Sequence, residues 1–323
     1  KDIYQVVEQD FLQVNHIINE QLHSDVPLVE KIGQHIIESG GKRMRPLLVL
    51  LAAKSLHLST DKQEKDHALL AAIIEFLHTA TLLHDDVVDI SDLRRGKTTA
   101  NAKWGNAPSV LVGDFLYSRA FEMMVQLGSL PTMKILSNAT CVIAEGEVLQ
   151  LMNVKNPDVS EQKYMDVIQG KTAMLFEASS HAGALIAQAN PEQAEALRLY
   201  GHHVGMAFQL VDDVLDYVGD AKELGKDVGD DLAEGKPTLP LIFAMQHAPA
   251  EQAQLIRQAI RKGGTEDLEP IIKIVQQCGA IDYTNNLARE HVVKAKQAIS
   301  TLDDTQAKKA LGALADLAVE RTH

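Results

Sequence analysis

The stretch LLHDDVVDISDLRRG, residues 82–96, places four aspartates and two following arginines at the end of an apolar segment. Asp85 and Asp89 are four residues apart, so on a helix they share one face, about 6 Å apart along the axis. Like charges in that arrangement repel each other, and a purely structural helix would avoid them. A divalent cation reverses this cost, so the stretch predicts a helix whose end holds a metal ion.

The rest of the chain also favours helix. Hydrophobic residues make up 46% of the sequence and aromatic residues only 4%, so aliphatic side chains and Met must fill the core. Apolar residues recur at helical spacing from end to end, and no segment makes a case for a strand. We predict one all-α domain over residues 1–323, a helical bundle. The predicted helices cover 3–22, 46–57, 67–90, 108–127, 131–152, 160–188, 191–218 and most of 239–321, with loops at 94–108 and 219–238.

Charge and composition exclude several classes of protein. The formal net charge of −13 argues against nucleic-acid binding, which needs clustered Lys and Arg. Cys141 and Cys278 fit no metal-ligand spacing, and we predict that both are reduced core residues of a cytosolic protein. The first residues, KDIYQVVEQD, lack a signal-peptide pattern, and no apolar run approaches the roughly 18 residues of a membrane span. We therefore expect a soluble, cytoplasmic protein with no transmembrane segment.

The aspartate pattern occurs a second time, in FQLVDDVLD at residues 208–216. Asp212 and Asp216 repeat the spacing of the first motif. One copy alone fits a solvated helix end equally well, but two copies after apolar flanks indicate function. Mg²⁺ prefers such oxygen ligands and keeps several waters, and carboxylates from facing bundle helices can form its site. Asp86 and Asp213 lie about 100° round the helix from their neighbours and are candidates for outer positions.

Cationic side chains lie near both motifs. Lys42, Arg43 and Arg45 occupy the glycine-started turn GGKRMRP that opens a helix, where backbone N–H groups add positive potential; an ordinary basic loop is the alternative. His78 lies two helical turns before Asp85 and is either a core histidine or a ligand contact. Further cations adjoin a motif or interrupt an apolar pattern: Arg94, Arg95, Lys171, Lys226 and Lys236.

These motifs together resemble a known family. GGKRMRP, LLHDDVVDISDLRRG, GKTA, FQLVDDVLD and GKDVGDDLAEGKPTLP occur in the order seen in the trans-isoprenyl diphosphate synthases, and the resemblance spans essentially the whole chain. EFLHTATLLHDDVVD, SVLVGDFLYSRAFEMM and VIAEGEVLQLMNV are most similar to the bacterial octaprenyl branch, which makes the side-chain precursor of ubiquinone and menaquinone. The resemblance implies a homodimer of all-α subunits, each around a deep central cavity.

The resemblance also implies roles for individual residues. Mg²⁺ ions would bridge both aspartate motifs to the diphosphate of an allylic primer such as farnesyl diphosphate. The implied metal ligands are Asp85, Asp89, Asp212 and Asp216. The implied contacts of the allylic diphosphate are Arg94, Lys171, Thr172, Gln209 and Lys226. The implied contacts of isopentenyl diphosphate are Lys42, Arg45, His78 and Arg95.

The implied reaction is a sequential head-to-tail condensation. The C–O bond of the primer ionises, Mg²⁺ and cationic side chains stabilise the departing diphosphate, and the double bond of isopentenyl diphosphate attacks the allylic cation. The released diphosphate would then take the proton, so no dedicated protein base is required. The principal catalytic residues would be Asp85, Asp89, Arg94, Lys171, Asp212 and Lys226.

Product length would be set by the depth of the cavity. Ala80 and Thr81 precede Asp85 by five and four residues and are small, where short-chain members of the family carry aromatic residues. A long product should therefore pass. Met123 and Met124 are candidates for the floor of this tunnel, although methionines also fill ordinary cores.

Three other functions fit parts of the sequence. A terpene cyclase usually needs a different second metal motif and an aromatic pocket. The HDD at residues 84–86 is found in metal phosphohydrolases, which need further His and Asp ligands. A non-catalytic partner subunit of a heteromeric synthase would lose aspartates, whereas this chain keeps both sets.

Overall fold

The predicted all-α fold is confirmed by a computed structural model, which describes residues 2–57, 60–219 and 228–321. The helices, numbered in chain order, are α1 (Asp2–Gln5), α2 (Glu8–Gln21), α3 (Pro27–Glu38), α4 (Met44–Lys54), α5 (Asp61–Val88), α6 (Ala100–Trp104), α7 (Asn106–Leu127), α8 (Leu130–Asn153), α9 (Glu161–Ile168), α10 (Met174–Ile186), α11 (Pro191–Val218), α12 (Asp230–Ala233), α13 (Leu239–His247), α14 (Ala250–Lys262), α15 (Leu268–Gln277), α16 (Ala280–Ala298) and α17 (Gln306–Glu320).

The chain divides into two compact units. The first comprises Lys1–Thr140, Leu175–Gly201 and Lys296–Leu314, and the second comprises Cys141–Met174, His202–Ala295 and Ala315–His323. In the first unit α5 packs against α2, α4 and α7. In the second, α13, α14 and α15 pack together around a core of aliphatic side chains.

Helix α5 is the central element of the first unit. It begins at an N-cap, Thr60, whose hydroxyl accepts a hydrogen bond from the backbone N–H of Gln63 at 3.1 Å. Apolar residues surround most of its circumference between His67 and Leu83, and they are buried. By length and composition α5 could also cross a membrane, but 67% of its most apolar window is buried inside the protein, as in a core helix.

Several local features differ from the sequence prediction. Cys141, predicted to lie in the core, is exposed, and Cys278 is partly buried. The predicted helix 3–22 is divided between α1 and α2. Helix α3 was not predicted, although Pro27 stands at its first turn, a favoured position for proline.

The predicted loop at 94–108 contains a short hairpin, in which β1 (Leu93–Arg94) pairs with β2 (Lys97–Thr98), and the short helix α6. The predicted loop at 219–238 contains the short helix α12. The predicted helix 160–188 is interrupted by a π-helical turn, Gln169–Ala173.

Two helices of the first unit approach each other closely at Gly183. A Cβ atom on this residue of α10 would lie 2.7 Å from the backbone oxygen of Val49 and 3.3 Å from the Cβ of Ala52 on α4. The backbone of Val49 is fixed within its helix, so it cannot move aside in the way that the end of a flexible side chain can. The position therefore accepts only glycine without a shift of one helix.

We expect Gly183→Ala to lower the free energy of unfolding by about 1–3 kcal/mol, the usual effect of overpacking. The matched control is Gly312→Ala in α17, where an added Cβ meets no atom within 4 Å. Helix propensity should make that variant more stable by about 0.5–1 kcal/mol. Urea unfolding followed by circular dichroism measures both, and equal stabilities would contradict the described packing.

Candidate active site

The first aspartate motif lies at the carboxyl end of α5. Asp85 and Asp86 belong to its last turn, and Asp89 is its C-cap, with its N–H bonded to the carbonyl of Asp85 at 2.8 Å. The carboxyl end of a helix carries negative partial charge, so carboxylates there are unfavourable without a cation. Asp85 and Asp89 are partly exposed, whereas Asp86 is buried. The two carboxylates predicted to bind metal are thus the two that a ligand can reach.

The buried Asp86 is paired with Arg94. The Nε of Arg94 donates to Oδ2 of Asp86 at 3.0 Å, and an Nη donates to Oδ1 at 2.6 Å. Burial opposes the charge of Arg94, but the hydrogen bonds and charge of Asp86, helped by Asp85 and Asp89, outweigh it and raise the pKa of the guanidinium. Asp86, which was predicted to lie outside the direct metal ligands, therefore holds Arg94 beside the motif as a fixed cation.

The second motif lies in the last turns of α11. Asp212 is partly exposed, and its Oδ1 accepts a hydrogen bond from Arg321 at 3.3 Å. The same guanidinium donates to the backbone oxygen of Phe208 and lies 3.7 Å from the centre of the Phe208 ring. Sequence reasoning missed Arg321, which is 109 residues from Asp212 and belongs to no motif.

Asp213 is buried in a hydrogen-bonded chain within the second unit. Thr172 donates to Oε1 of Gln209 at 2.9 Å, Gln209 donates to Asp213 at 2.9 Å, and the hydroxyl of Tyr164 donates to the other oxygen of Asp213. Burial, with the charges of Asp231 and Asp212, raises the pKa of Asp213 to about 8. The structure thus brings together the predicted Thr172 and Gln209, and adds Tyr164.

Asp216 is fully buried, unlike Asp212. Its Oδ2 accepts a hydrogen bond from the backbone N–H of Asp231 at 3.2 Å, and its carbonyl accepts one from Gly229 at 2.9 Å. These bonds tie the end of α11 to the start of α12. The predicted metal ligand Asp216 therefore also holds the chain that follows the motif.

The four residues predicted to bind isopentenyl diphosphate gather in the first unit. An Nη of Arg45 lies 3.3 Å from Nε2 of His78. The guanidinium of Arg95 lies against Gly41, where a Cβ atom would be 2.9 Å from its nitrogen. Lys42 follows Gly41, and its carbonyl accepts a hydrogen bond from Tyr4. Arg45, His78 and Arg95 thus come together beside the turn that carries Lys42.

The surroundings fix the protonation of His78. Burial and the charges of Arg45, Arg94 and Arg95 hold its pKa well below the usual value, so the ring is neutral near pH 7. Arginine only donates hydrogen bonds, so Nε2 of His78 accepts from Arg45 and the proton sits on Nδ1. His78 can therefore offer one N–H donor to an anion, and no charge.

Sequence reasoning overlooked Glu75, a buried carboxyl group near the same cations. Its Oε2 has no hydrogen-bond partner. Burial raises the pKa of Glu75, while the charges of Arg43, Arg45 and Arg95 oppose the rise. An acidic residue within the apolar run AIIEFL was the signal that could have revealed it.

Lys171 and Thr172 lie in the π-helical turn. The Nζ of Lys171 is 2.6 Å from Oε1 of Gln150 and 3.3 Å from Oε2 of Glu147, both on α8. Single π turns inside α-helices are frequent at functional sites, because the extra residue changes the direction of the side chains. Lys226, predicted to join this group, lies outside the described residues.

The predicted tunnel residues differ in exposure. Three of them are buried: Ala80, Met123 and Met124. Thr81 is partly exposed, and its hydroxyl donates a hydrogen bond to the carbonyl of His78 at 2.5 Å. Met123 and Met124 lie on α7, which packs against α5, the helix that carries Ala80 and Thr81. The four residues therefore belong to neighbouring helices of one unit.

The predicted metal ligands do not form a preformed cage. Within residues 2–57, 60–219 and 228–321, no three His, Cys, Asp or Glu side chains come together as a metal site. What each motif offers is carboxylate oxygen at a helix end. Such a donor set fits a hard cation that completes its shell with water and phosphate oxygens.

Comparison with known proteins shows which family this chain matches. Residues 26–277 match the polyprenyl synthetase family. The chain is 52% identical to octaprenyl diphosphate synthase of Escherichia coli, over 99% of this chain and 98% of that protein. It is 50% identical to an all-trans-nonaprenyl-diphosphate synthase of Rhodobacter capsulatus, over 99% and 98%. Among solved structures it resembles a polyprenyl synthase of Caulobacter crescentus that was crystallised with calcium and isoprenyl diphosphate. The TM-score is 0.96 and the sequence identity is 44%, over 100% of this chain and 98% of that one.

The chain therefore belongs to the polyprenyl synthetase family and is a prenyltransferase. The family elongates prenyl chains in reactions that depend on a divalent metal. These findings confirm the resemblance read from the motifs. They also set aside the terpene cyclase and the phosphohydrolase as alternatives.

We expect Arg94→Met to destabilise the fold, because it leaves Asp86 buried without its partner. Removing one member of a buried ion pair costs about 3–5 kcal/mol, and we expect the lower end because Arg94 is itself 24% exposed. Lys262→Met is the control: Lys262 and Glu266 are 62% and 72% exposed, and solvent-exposed ion pairs contribute little to stability. Similar unfolding midpoints for the two variants would refute the structural role of Asp86.

Proposed function

We propose that this protein is a long-chain trans-polyprenyl diphosphate synthase whose main product is octaprenyl diphosphate. It would condense isopentenyl diphosphate repeatedly onto an allylic primer, with farnesyl diphosphate as the expected primer. The observation that supports this best is the full-length similarity to octaprenyl diphosphate synthases, in a chain that keeps both aspartate motifs. A cytoplasmic synthase over residues 1–323 that supplies the side chain of ubiquinone and menaquinone is part of the same proposal.

Lys42, Arg45, His78 and Arg95 would bind isopentenyl diphosphate. The contact between Arg45 and His78 and the position of Arg95 against Gly41 support this assignment. The guanidinium groups would supply charge and paired N–H donors, and neutral His78 would add one N–H. A site of this kind holds the diphosphate firmly and leaves the uncharged end of the substrate to react.

Arg94, Lys171, Thr172, Gln209 and Lys226 would bind the allylic diphosphate. The hydrogen bond from Thr172 to Gln209 and the fixed guanidinium of Arg94 support the assignment. These donors would stabilise the negative charge that develops as the C–O bond breaks, which is where electrostatic catalysis acts most strongly.

Asp85, Asp89 and Asp212 would hold Mg²⁺, with Asp216 as a further ligand. The partial exposure of the first three supports direct binding, and carboxylate oxygens suit this ion. When bound, Mg²⁺ would neutralise the leaving diphosphate as a Lewis acid. The protein's own part is to present the carboxylates, to fix Arg94 through Asp86, and to orient Gln209 through Asp213.

The test of this function is a turnover assay on the purified protein with Mg²⁺, farnesyl diphosphate and labelled isopentenyl diphosphate. Products are dephosphorylated and separated by chain length. We expect eight isoprene units as the main product. Nine units would place the protein with the nonaprenyl synthases, and three or four would refute the long-chain assignment. No incorporation by folded protein would refute the proposed activity and favour a non-catalytic partner subunit.

We expect Asp85→Asn and Asp212→Asn each to lower kcat by at least about 100-fold, since even outer-sphere partners of metals contribute 10–100-fold. Asp92→Asn is the control, because Asp92 is an exposed carboxylate in the loop that follows α5. Circular dichroism should show unchanged helix content in all three. Near-normal turnover in either motif variant would contradict the metal assignment.

We expect Thr81→Phe to shorten the product. Thr81 is partly exposed, so a larger side chain can be accommodated there without overpacking, whereas the fully buried Ala80 leaves no such space. Thr81→Val is the control, since it removes the hydroxyl and keeps the volume. Chromatography of the dephosphorylated products measures the length, and an unchanged distribution in Thr81→Phe would place the tunnel elsewhere.

We also propose that the protein is a homodimer. Leu111, Phe121 and Val125 are exposed on α7, within about 80° of its circumference, and Leu130 is exposed at the start of α8. Clustered exposed apolar side chains mark interaction surfaces, and a two-fold symmetric contact uses one such surface twice. The motifs of this chain resemble those of the trans-isoprenyl diphosphate synthases, which are homodimers. A second copy of this chain is therefore the proposed partner.

We expect the double change Leu111→Glu with Val125→Glu to convert the dimer to a monomer. These residues are 65% and 69% exposed in the single subunit, so the subunit itself should tolerate the charges. Like charges that face each other across a two-fold contact are strongly unfavourable. Val293→Glu, at an exposed apolar position on α16, is the control. Sedimentation velocity measures the mass. A dimer that survives the double change would exclude this face of α7 as the interface.

A further inference from the structure

The predicted phosphate-binding residue Lys171 has its ammonium group against one face of α8. Its Nζ contacts Oε1 of Gln150 at 2.6 Å and Oε2 of Glu147 at 3.3 Å. Glu147 and Gln150 are three residues apart, so they project from the same side of the helix. Both belong to the second unit, as does Lys171. Neither residue has a role predicted from the sequence.

The backbones on either side of this contact touch. A Cβ atom on Gly146 of α8 would lie 2.7 Å from the backbone nitrogen of Lys171 and 2.9 Å from the carbonyl carbon of Gly170. A Cβ on Gly170 would lie 3.4 Å from the Cα of Gly146. Two glycines therefore allow the π-helical turn to lie directly on α8, which fixes the starting point of the Lys171 side chain.

Lysine has a flexible stem of four methylene groups and loses much rotamer freedom when it is held in one place. Its side chain is 17% exposed here, and that of Glu147 is 25% exposed. A contact at a partly buried site orders the ammonium more than an exposed ion pair does. The hydrogen bond to Gln150 and the ion pair with Glu147 together restrict where the ammonium can lie.

We propose that Glu147 and Gln150 are positioning residues for the allylic diphosphate site, and that they act through Lys171. They hold the ammonium in place before the primer arrives, so that the diphosphate does not have to order a free lysine side chain. This inference rests on the proposed role of Lys171 in primer binding. Gln150 is expected to contribute more, because its contact is the shorter one.

The test measures the Kd of farnesyl diphosphate by calorimetry, with Mg²⁺ and without isopentenyl diphosphate, so that weak catalysts can be compared. Gln150→Leu removes the acceptor at similar volume. We expect it to raise this Kd about tenfold, as for the loss of one hydrogen bond to a charged group. Glu147→Gln keeps an oxygen and removes the charge, and should raise the Kd about threefold. Glu145→Gln, at an exposed glutamate of the same helix, should leave the Kd unchanged.

A double-mutant cycle separates this role from a merely structural one. In the Lys171→Met background, Gln150→Leu should have no further effect on the Kd, because the group through which it acts is already gone. Gln150→Glu, which keeps an acceptor of the same length, should restore the wild-type Kd. In steady-state assays the KM for the primer should rise while that for isopentenyl diphosphate changes less than about twofold.

Three results would overturn the proposal. One is an unchanged Kd in Gln150→Leu. Another is a tenfold effect of Gln150→Leu that persists in the Lys171→Met background. The last is an equal rise in both KM values together with a lower unfolding temperature, which would show a loss of packing. Wild-type protein that incorporates no isopentenyl diphosphate would instead refute the proposed function and is observed separately.

Discussion

Each aspartate motif places several carboxylates at the carboxyl end of a helix, where the helix dipole disfavours negative charge. The resulting repulsion is the constraint on which the rest of the site depends. The structure removes one charge from each motif, by ion pairing of Asp86 in the first and by burial that raises the pKa of Asp213 to about 8 in the second. In each motif the second aspartate is withdrawn from solvent and held by protein donors: Asp86 by Arg94, and Asp213 by Gln209 and Tyr164. The first aspartate, Asp85 or Asp212, stays partly exposed. The internal partners thus offset the charge of the buried aspartate in each motif, while Asp85 and Asp89 in the first motif and Asp212 in the second stay within reach of a ligand.

The withdrawn aspartates have a second effect, because their partners are themselves proposed substrate contacts. Asp86 fixes the guanidinium of Arg94 by a fork that lysine could not form. Asp213 fixes the amide of Gln209, which in turn accepts from Thr172. The same carboxylates that weaken repulsion within the motif therefore orient the groups that would bind the diphosphate. The middle aspartate of each motif therefore has a structural role of its own, whatever its neighbours bind.

Much of this could be predicted from the sequence. The helices that carry the motifs follow from apolar spacing, and the contact between Arg45 and His78 joins two residues that the resemblance had already grouped. Tyr164 and Arg321 could not be found, because they reach their aspartates across 49 and 109 residues and only tertiary packing brings them there. The π-helical turn was missed for a different reason: the sequence pattern of QGKTA is compatible with an ordinary helix. Helix α3 did carry its signal in Pro27 and the spaced aliphatic residues that follow it.

The balance of charge indicates how a site of this kind would attract an anionic substrate. The chain carries a net charge of −13, so an anionic substrate is repelled at long range and must be attracted locally. The cations that could do this are not scattered: Arg45 and Arg95 lie beside one glycine turn, close to neutral His78, and Lys171 contacts side chains of α8 from the π-helical turn. Each cationic group has an acidic neighbour, Glu75 for the first and Glu147 for the second. Glu147, together with Gln150, holds the ammonium of Lys171 in one place, so a diphosphate would meet an ordered cation there. These local cations, and not the net charge of the chain, would therefore attract an anionic substrate.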